Sequence, residues 1–123
     1  MNYLGIDYGR KKIGVSISYG KLAEPMQVIR YKDKEKMIAH VKRIIERYKI
    51  DKVVVGVSEG EMALESQEFA KIFEAITFDE TLSSHDAIEL SIASGMGRKK
   101  RKEMEDAFAA SIMLQNYLDS RLN

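Results

Sequence analysis

The run Val53-Val54-Val55-Gly56-Val57 constrains the fold most, because neither parity of the segment offers a polar position. A strand that is apolar on both faces must be covered on both, the situation of a parallel strand held between layers of helix. The chain is therefore expected to build an α/β sheet with this strand at its centre. Upstream, Met1 to Ser18 holds two apolar segments around a turn rich in Gly and Lys and reads as a β-hairpin. Ile13, Val15 and Ile17 alternate with Gly14, Ser16 and Ser18, so the second hairpin strand is expected to be half-buried. Ala23 to Tyr31 predicts a third strand, and Pro25 assigns it to the sheet edge, where a missing N–H breaks no ladder.

The helices follow from periodicity and capping. Asp33 caps a helix to about Lys49, with Met37, Val41, Ile44, Ile45 and Tyr48 as its apolar stripe. A second helix is expected from about Ala63 to Glu74, carrying Leu64, Phe69, Ile72 and Phe73, then a short strand Ala75 to Asp79. Ser83 to about Ser94 predicts a third helix, opened by Ser83 and Asp86 in a capping-box-like pair. Gly95-Met96-Gly97 ends it, the five bases Arg98 to Lys102 read as a mobile loop, and a last helix runs from Glu103 to about Leu122. Right-handed crossovers turn this order into a mixed five-stranded sheet, an antiparallel meander plus parallel strands, with helices on both faces. A chain of 123 residues is expected to form one domain over 1–123. The lack of cysteine and of a signal-like apolar start suits a reducing cytoplasm, and no run approaches membrane-spanning length.

Three carboxylates stand where such a sheet would deliver them to one edge. Tyr3, Gly5 and Asp7 share one face of the first strand, so Asp7 adjoins a glycine and is expected to have open space beside it. Gly14 in the partner strand marks either a bulge or the close approach of another backbone or a ligand. Glu80 continues the parity of Ile76 and Phe78 at the carboxyl end of the last strand, where open α/β sheets place ligands. Asp106 lies in the first turn of the last helix, above Ala109, Ala110 and Met113. Three acids brought together repel unless a cation neutralises them, and oxygen-only donors favour Mg²⁺ or Mn²⁺. Two such ions can activate water and stabilise the leaving oxygen of a phosphodiester. The alternative for Asp7 alone is a turn cap.

Net charge of +1 argues against a wholly basic nucleic-acid binder, yet the 20 Lys and Arg are segregated. Arg98, Lys99, Lys100, Arg101 and Lys102 precede the helix of Asp106, and Arg10, Lys11 and Lys12 adjoin Asp7, so all eight are candidate phosphate contacts. Their alternatives are a solvated linker and a protected hairpin tip. Tyr8 reads as a packed core residue or a base-stacking platform. His85 is a helix-start histidine with a proton-relay role as its alternative, His40 has no role, and Ser83 and Ser84 read as caps.

The segments Gly5-Ile6-Asp7-Tyr8-Gly9 with Lys11, Ile13 and Gly14, then Ala23-Glu24-Pro25, Val55-Gly56-Val57, Asp79-Glu80-Thr81-Leu82-Ser83-Ser84 and Asp106-Ala107 with Ala110 resemble the YqgF (RuvX) family. They occur in the family's order and cover nearly the whole chain. The resemblance implies a ribonuclease H-like fold and a nuclease acting on pre-16S rRNA or, in the family's earlier description, on Holliday junctions, with Asp7, Glu80 and Asp106 as its acids. The expected partner is then structured RNA or branched DNA, handled by a monomer or a homodimer. Two departures stand out: Thr81 replaces the usual Arg after the Asp-Glu pair, and Val57-Ser58 replaces a Leu-Pro. Glu59 and Glu61 in that altered loop are candidate substitute ligands. Competing readings are a junction-cleaving DNA enzyme, a non-catalytic nucleic-acid-binding assembly factor, and an ATPase phosphate loop, the last disfavoured because one lobe cannot close on a nucleotide.

Overall fold

A computed structural model describes residues 1–57, 60–79, 95 and 97–121. Strands β1 (Tyr3–Asp7), β2 (Lys12–Ser18) and β3 (Ala23–Arg30) form the antiparallel meander. Helix α1 (Lys34–Arg47) returns the chain to β4 (Lys52–Val57), and α2 (Glu61–Ile72) leads to β5 (Ile76–Asp79), both strands parallel to β1. A short α3 (Arg98–Glu103) and a long α4 (Glu105–Ser120) follow. The five strands lie in the order β3-β2-β1-β4-β5, so Pro25 stands on an edge strand as expected. β4 is interior, but the middle of the sheet is β1. The expected helix over 83–94 lies outside the described residues.

Each face has its own core. Leu4 and Ile6 of β1 and Tyr8 just beyond it pack with Val15, Val55, Met37, Val41 and Phe69 beneath α1 and α2. Tyr3 and Val54 pack with Met113, Leu114, Tyr117 and Leu118 of α4 on the other side. Asp33 caps α1, its Oδ1 accepting from the backbone N–H of Glu35 at 2.9 Å. The Gln115 side chain fastens α4 to the β2–β3 turn, Oε1 accepting from Ala23 N at 2.9 Å and Nε2 donating to Lys21 O at 3.0 Å.

Four expectations are corrected. β2 is buried on both faces, because α4 covers the side carrying Gly14, Ser16 and Ser18, and these residues are small enough to let it approach. The space beside Asp7 is not open: a Cβ on Gly5 would stand 2.5 Å from Ser16 Oγ and 2.8 Å from Leu114 Cβ. Helix α2 starts at Glu61 and turns Met62, Ser66, Phe69, Ala70 and Phe73 inward, leaving Leu64 and Ile72 exposed. The basic run is helix α3 rather than a loop, since Lys and Arg are good helix formers and Lys100, Arg101 and Lys102 complement the negative end of the helix. The chain breaks instead at Met104, so α4 begins at Glu105. Among the described residues no helix is long and apolar enough to cross a membrane.

The tightest contact between the layers falls on Gly14, where a Cβ would collide with the Asp106 carbonyl group and stand 2.9 Å from the Ala107 amide nitrogen. Backbone on both sides leaves nothing flexible to yield. Gly14→Ala is therefore expected to cost about 3 kcal/mol or more of unfolding free energy by urea titration. Gly97→Ala, where a Cβ meets nothing within 4 Å, should change it by less than about 1 kcal/mol.

Candidate active site

Asp7 ends β1 on the α4 face, where Gly5 meets Leu114 and Tyr3 meets Tyr117, their ring centroids 6.3 Å apart. Its partner across the antiparallel ladder is Gly14, the residue on which the Asp106 carbonyl rests. One glycine thus brings a strand end and the first turn of a helix together. Asp7 and Asp106 line one shallow cleft of about 280 Å³ with Tyr8, Gly9, Arg10, Lys11 and Lys12. Glu80 follows the last residue of β5 and lies outside the described residues, as do Thr81, Ser83, Ser84, His85, Ser58 and Glu59.

The electrostatics of the cleft follow from this crowding. Burial, then the charge of Asp106, push the Asp7 carboxyl up to about 6 from an ordinary value of 3.8. Lys12 is drawn in as a counter-charge, its Nζ 2.9 Å from Asp106 Oδ2. Both side chains keep partial access to water, 41% and 29% exposed, so the pair is displaceable at little cost. An acid pair that has already recruited one cation, and still holds one carboxyl far above its ordinary range, fits a hard divalent ion. Among the described residues no third His, Cys, Asp or Glu joins the two.

The basic candidates separate by position. Arg10 binds Glu65 of α2 through Nε and Nη2, each at 2.7 Å, and approaches Glu61 at 3.7 Å. Glu61 is thus an exposed partner of Arg10 and lies outside the acid cleft. Lys11 is exposed, and Lys12 is the Asp106 partner. Arg98, Lys99, Lys100 and Lys102 are exposed on α3, with Arg101 half-buried. Tyr8 is a core residue, 4.8 Å between ring centroids from Phe69. Reading the hairpin tip as one basic cluster missed the special place of Lys12, although parity carries the signal: Lys12 and Gly14 share the face that Asp7 occupies.

The sequence matches the family described as "RuvX: Holliday junction resolvase" over residues 1–120. A Geobacillus sp. (strain WCH70) protein named "Putative pre-16S rRNA nuclease" is 36% identical, covering 98% of this chain and 99% of its own length. One of the same name from Agathobacter rectalis is 34% identical, covering 97% and 95%. Among solved structures, the Fowlpox virus resolvase with Holliday junction DNA superposes with a TM-score of 0.69 at 16% identity, over the whole of both chains. T. thermophilus RuvC in complex with Holliday junction substrate gives 0.61 at 16% identity, covering 99% and 96%. These structural likenesses establish the ribonuclease H-like fold expected from the sequence.

The raised Asp7 carboxyl sets a stability signature. The unfolded chain loses this proton near pH 3.8 and the folded chain near 6, so between them the folded state holds more protons and stability falls as pH rises. In chelator, Asp7→Asn should equal wild type near pH 3.5 and exceed it by about 3 kcal/mol at pH 7.5 in urea titrations. A variant less stable than wild type at pH 7.5 would contradict the burial and repulsion at this site.

Proposed function

Because this chain belongs to the RuvX family of Holliday junction resolvases, we propose that it is a metal-dependent nuclease that hydrolyses phosphodiesters in structured nucleic acid, foremost at the 5′ end of precursor 16S rRNA. The observation that carries this reading is the meeting of Asp7 and Asp106 on Gly14, in a cleft walled by cations. Asp7 and Asp106 would hold Mg²⁺ or Mn²⁺ together with Glu80, which strand parity from Phe78 and the family resemblance assign as the third ligand. Divalent ions in such a site supply an activated water and neutralise the charge developing on the leaving oxygen.

The chain's own side chains set the stage for that chemistry. Asp7 is fixed by its place at the end of the middle strand, and Asp106 by the helix packed on Gly14. Lys12, paired with Asp106 in the free protein, would be released to a substrate phosphate if a cation took its place on that carboxylate. The exposed bases of α3 lead directly into Asp106, so a backbone they bind passes beside the acids. The relatives named as pre-16S rRNA nucleases, about a third identical over nearly the full chain, favour RNA. The family description favours junction DNA as the second reading, and symmetric cleavage of a junction would need two copies.

The deciding assay sets wild type beside Asp7→Asn and Asp106→Asn, with Mg²⁺ and with Mn²⁺, on precursor 16S rRNA leader and on four-way junction DNA. Wild type is expected to cut the leader faster than the junction, and either substitution to lower the rate at least about a hundredfold while the fold is kept. Undiminished cleavage by Asp7→Asn in a clean preparation would reject the site.

A further inference from the structure

The acid cleft does not end at the hairpin tip. Arg10 and Lys11 also wall a second hollow, of about 630 Å³, with Arg30, Tyr31 and Lys32 at the end of the edge strand β3. Arg30, Tyr31 and Lys32 in turn wall a third, of about 360 Å³, which runs down between β3 and α1 past Lys36, His40 and Arg43. The three hollows are joined by shared walls. We propose that this groove is a second nucleic-acid-binding surface, which grips the phosphate backbone of a duplex arm leading away from the acid cleft.

Charge supports the assignment first. Lys11, Arg30, Lys32, Lys36 and Arg43 face the groove, and among the described residues none of the five is in an ion pair. The single acid in its wall is Asp33, whose carboxylate is engaged in capping α1. Glu35 on the same helix is exposed beside Lys36, and Glu46 lies further down, beyond Arg43. A row of unpaired cations on exposed backbone-facing ground is suited to phosphates, each contact releasing condensed counter-ions.

Rigidity supports it second. The Tyr31 hydroxyl donates to the Gly9 carbonyl oxygen, and the Tyr31 N–H donates to Lys11 O at 3.0 Å. Burial, then a hydrogen bond with Tyr8, hold the Tyr31 hydroxyl well above its ordinary range, so it stays a donor. Arg30 pairs with Lys12 across the β2–β3 ladder. The head of the groove is therefore clamped to the turn that follows Asp7. α3 leads in sequence into Asp106 and the groove begins at Lys11, so the acid cleft is approached by both sets of bases.

The proposal rests on the nuclease reading for which bond is cut, but the binding itself is measurable without cleavage. The triple variant Lys32→Glu/Lys36→Glu/Arg43→Glu is compared with wild type in chelator, by fluorescence anisotropy on labelled 24-base-pair RNA and DNA duplexes over a salt series. Affinity is expected to fall at least about tenfold at 100 mM salt, and the log–log salt slope to flatten by about 2 to 3. A charge-matched control, Lys21→Glu/Lys52→Glu/Lys71→Glu at the far end of the sheet, should leave the slope nearly unchanged. Unaltered affinity and slope in the first variant, or an equal loss in the control, would overturn the proposal. Cleavage of a six-nucleotide single strand, too short to reach the groove, should match wild type in the triple variant. Absence of that cleavage in both proteins would indict the acid site and leave the binding result standing.

Discussion

The contact between the Gly14 backbone and the first turn of α4 is the constraint from which the site follows. Helix and sheet usually meet through side chains, which hold the backbones about 10 Å apart. Here the Asp106 carbonyl rests where a Cβ would be, and Gly5 on β1 leaves room for the Leu114 side chain. The helix is thereby drawn down onto the middle of the sheet at its Asp7 end. Because β1 has neighbours on both sides, Asp7 has no edge towards which to relax. The approach of two carboxylates is thus a property of the layer packing, imposed by glycines that carry no chemistry of their own.

That packing carries an electrostatic consequence. Desolvation and the Asp106 charge raise the Asp7 carboxyl together, and the protein answers with Lys12 on the far acid rather than by separating the pair. A fold selected for stability alone would place an amide or an apolar residue at position 7. Retaining an ionisable group that destabilises the metal-free state near neutral pH is the pattern of a site whose ligand supplies the missing charge.

The meander, the capped first helix, the interior parallel run and the parity of Asp7 were all legible in the sequence, because each rests on local periodicity. Gly14 was legible only as a choice between a bulge and a close approach; which one applies depends on a helix more than ninety residues away. The covering of β2 was hidden because Ser16 and Ser18 read as a solvent face, and period two records polarity rather than what lies above it. Their hydroxyls are instead absorbed locally, Ser16 donating to Gly5 O and Ser18 accepting from Gly20 N. The basic run misled in the opposite sense: two flanking glycines suggested a loop, but glycine at the boundary of a segment says nothing against helix within it. The second helix was expected to carry Leu64 and Ile72 among its apolar residues, yet both are exposed, and Ser66 and Ala70 are buried with Phe69 instead.

Three consecutive cations at the hairpin tip end in three different relations, and the difference has a kinetic reading. Arg10 is tied to α2 by Glu65, Lys12 is tied to an acid of the cleft, and Lys11 between them stands exposed with no ion pair among the described residues. Lys12 opens β2 on the face shared with Gly14, whereas Lys11 stands just before the strand and walls the hollow of Arg30, Tyr31 and Lys32. A phosphate arriving at the tip meets Lys11 without competition, whereas Lys12 is gained only by separating it from Asp106. Substrate and cation entry are then linked through one side chain. If Asp106 held a divalent ion, that ion would compete with Lys12 for the carboxylate, and a phosphate drawing Lys12 away would bare Asp106, so the two would favour each other by the same free energy.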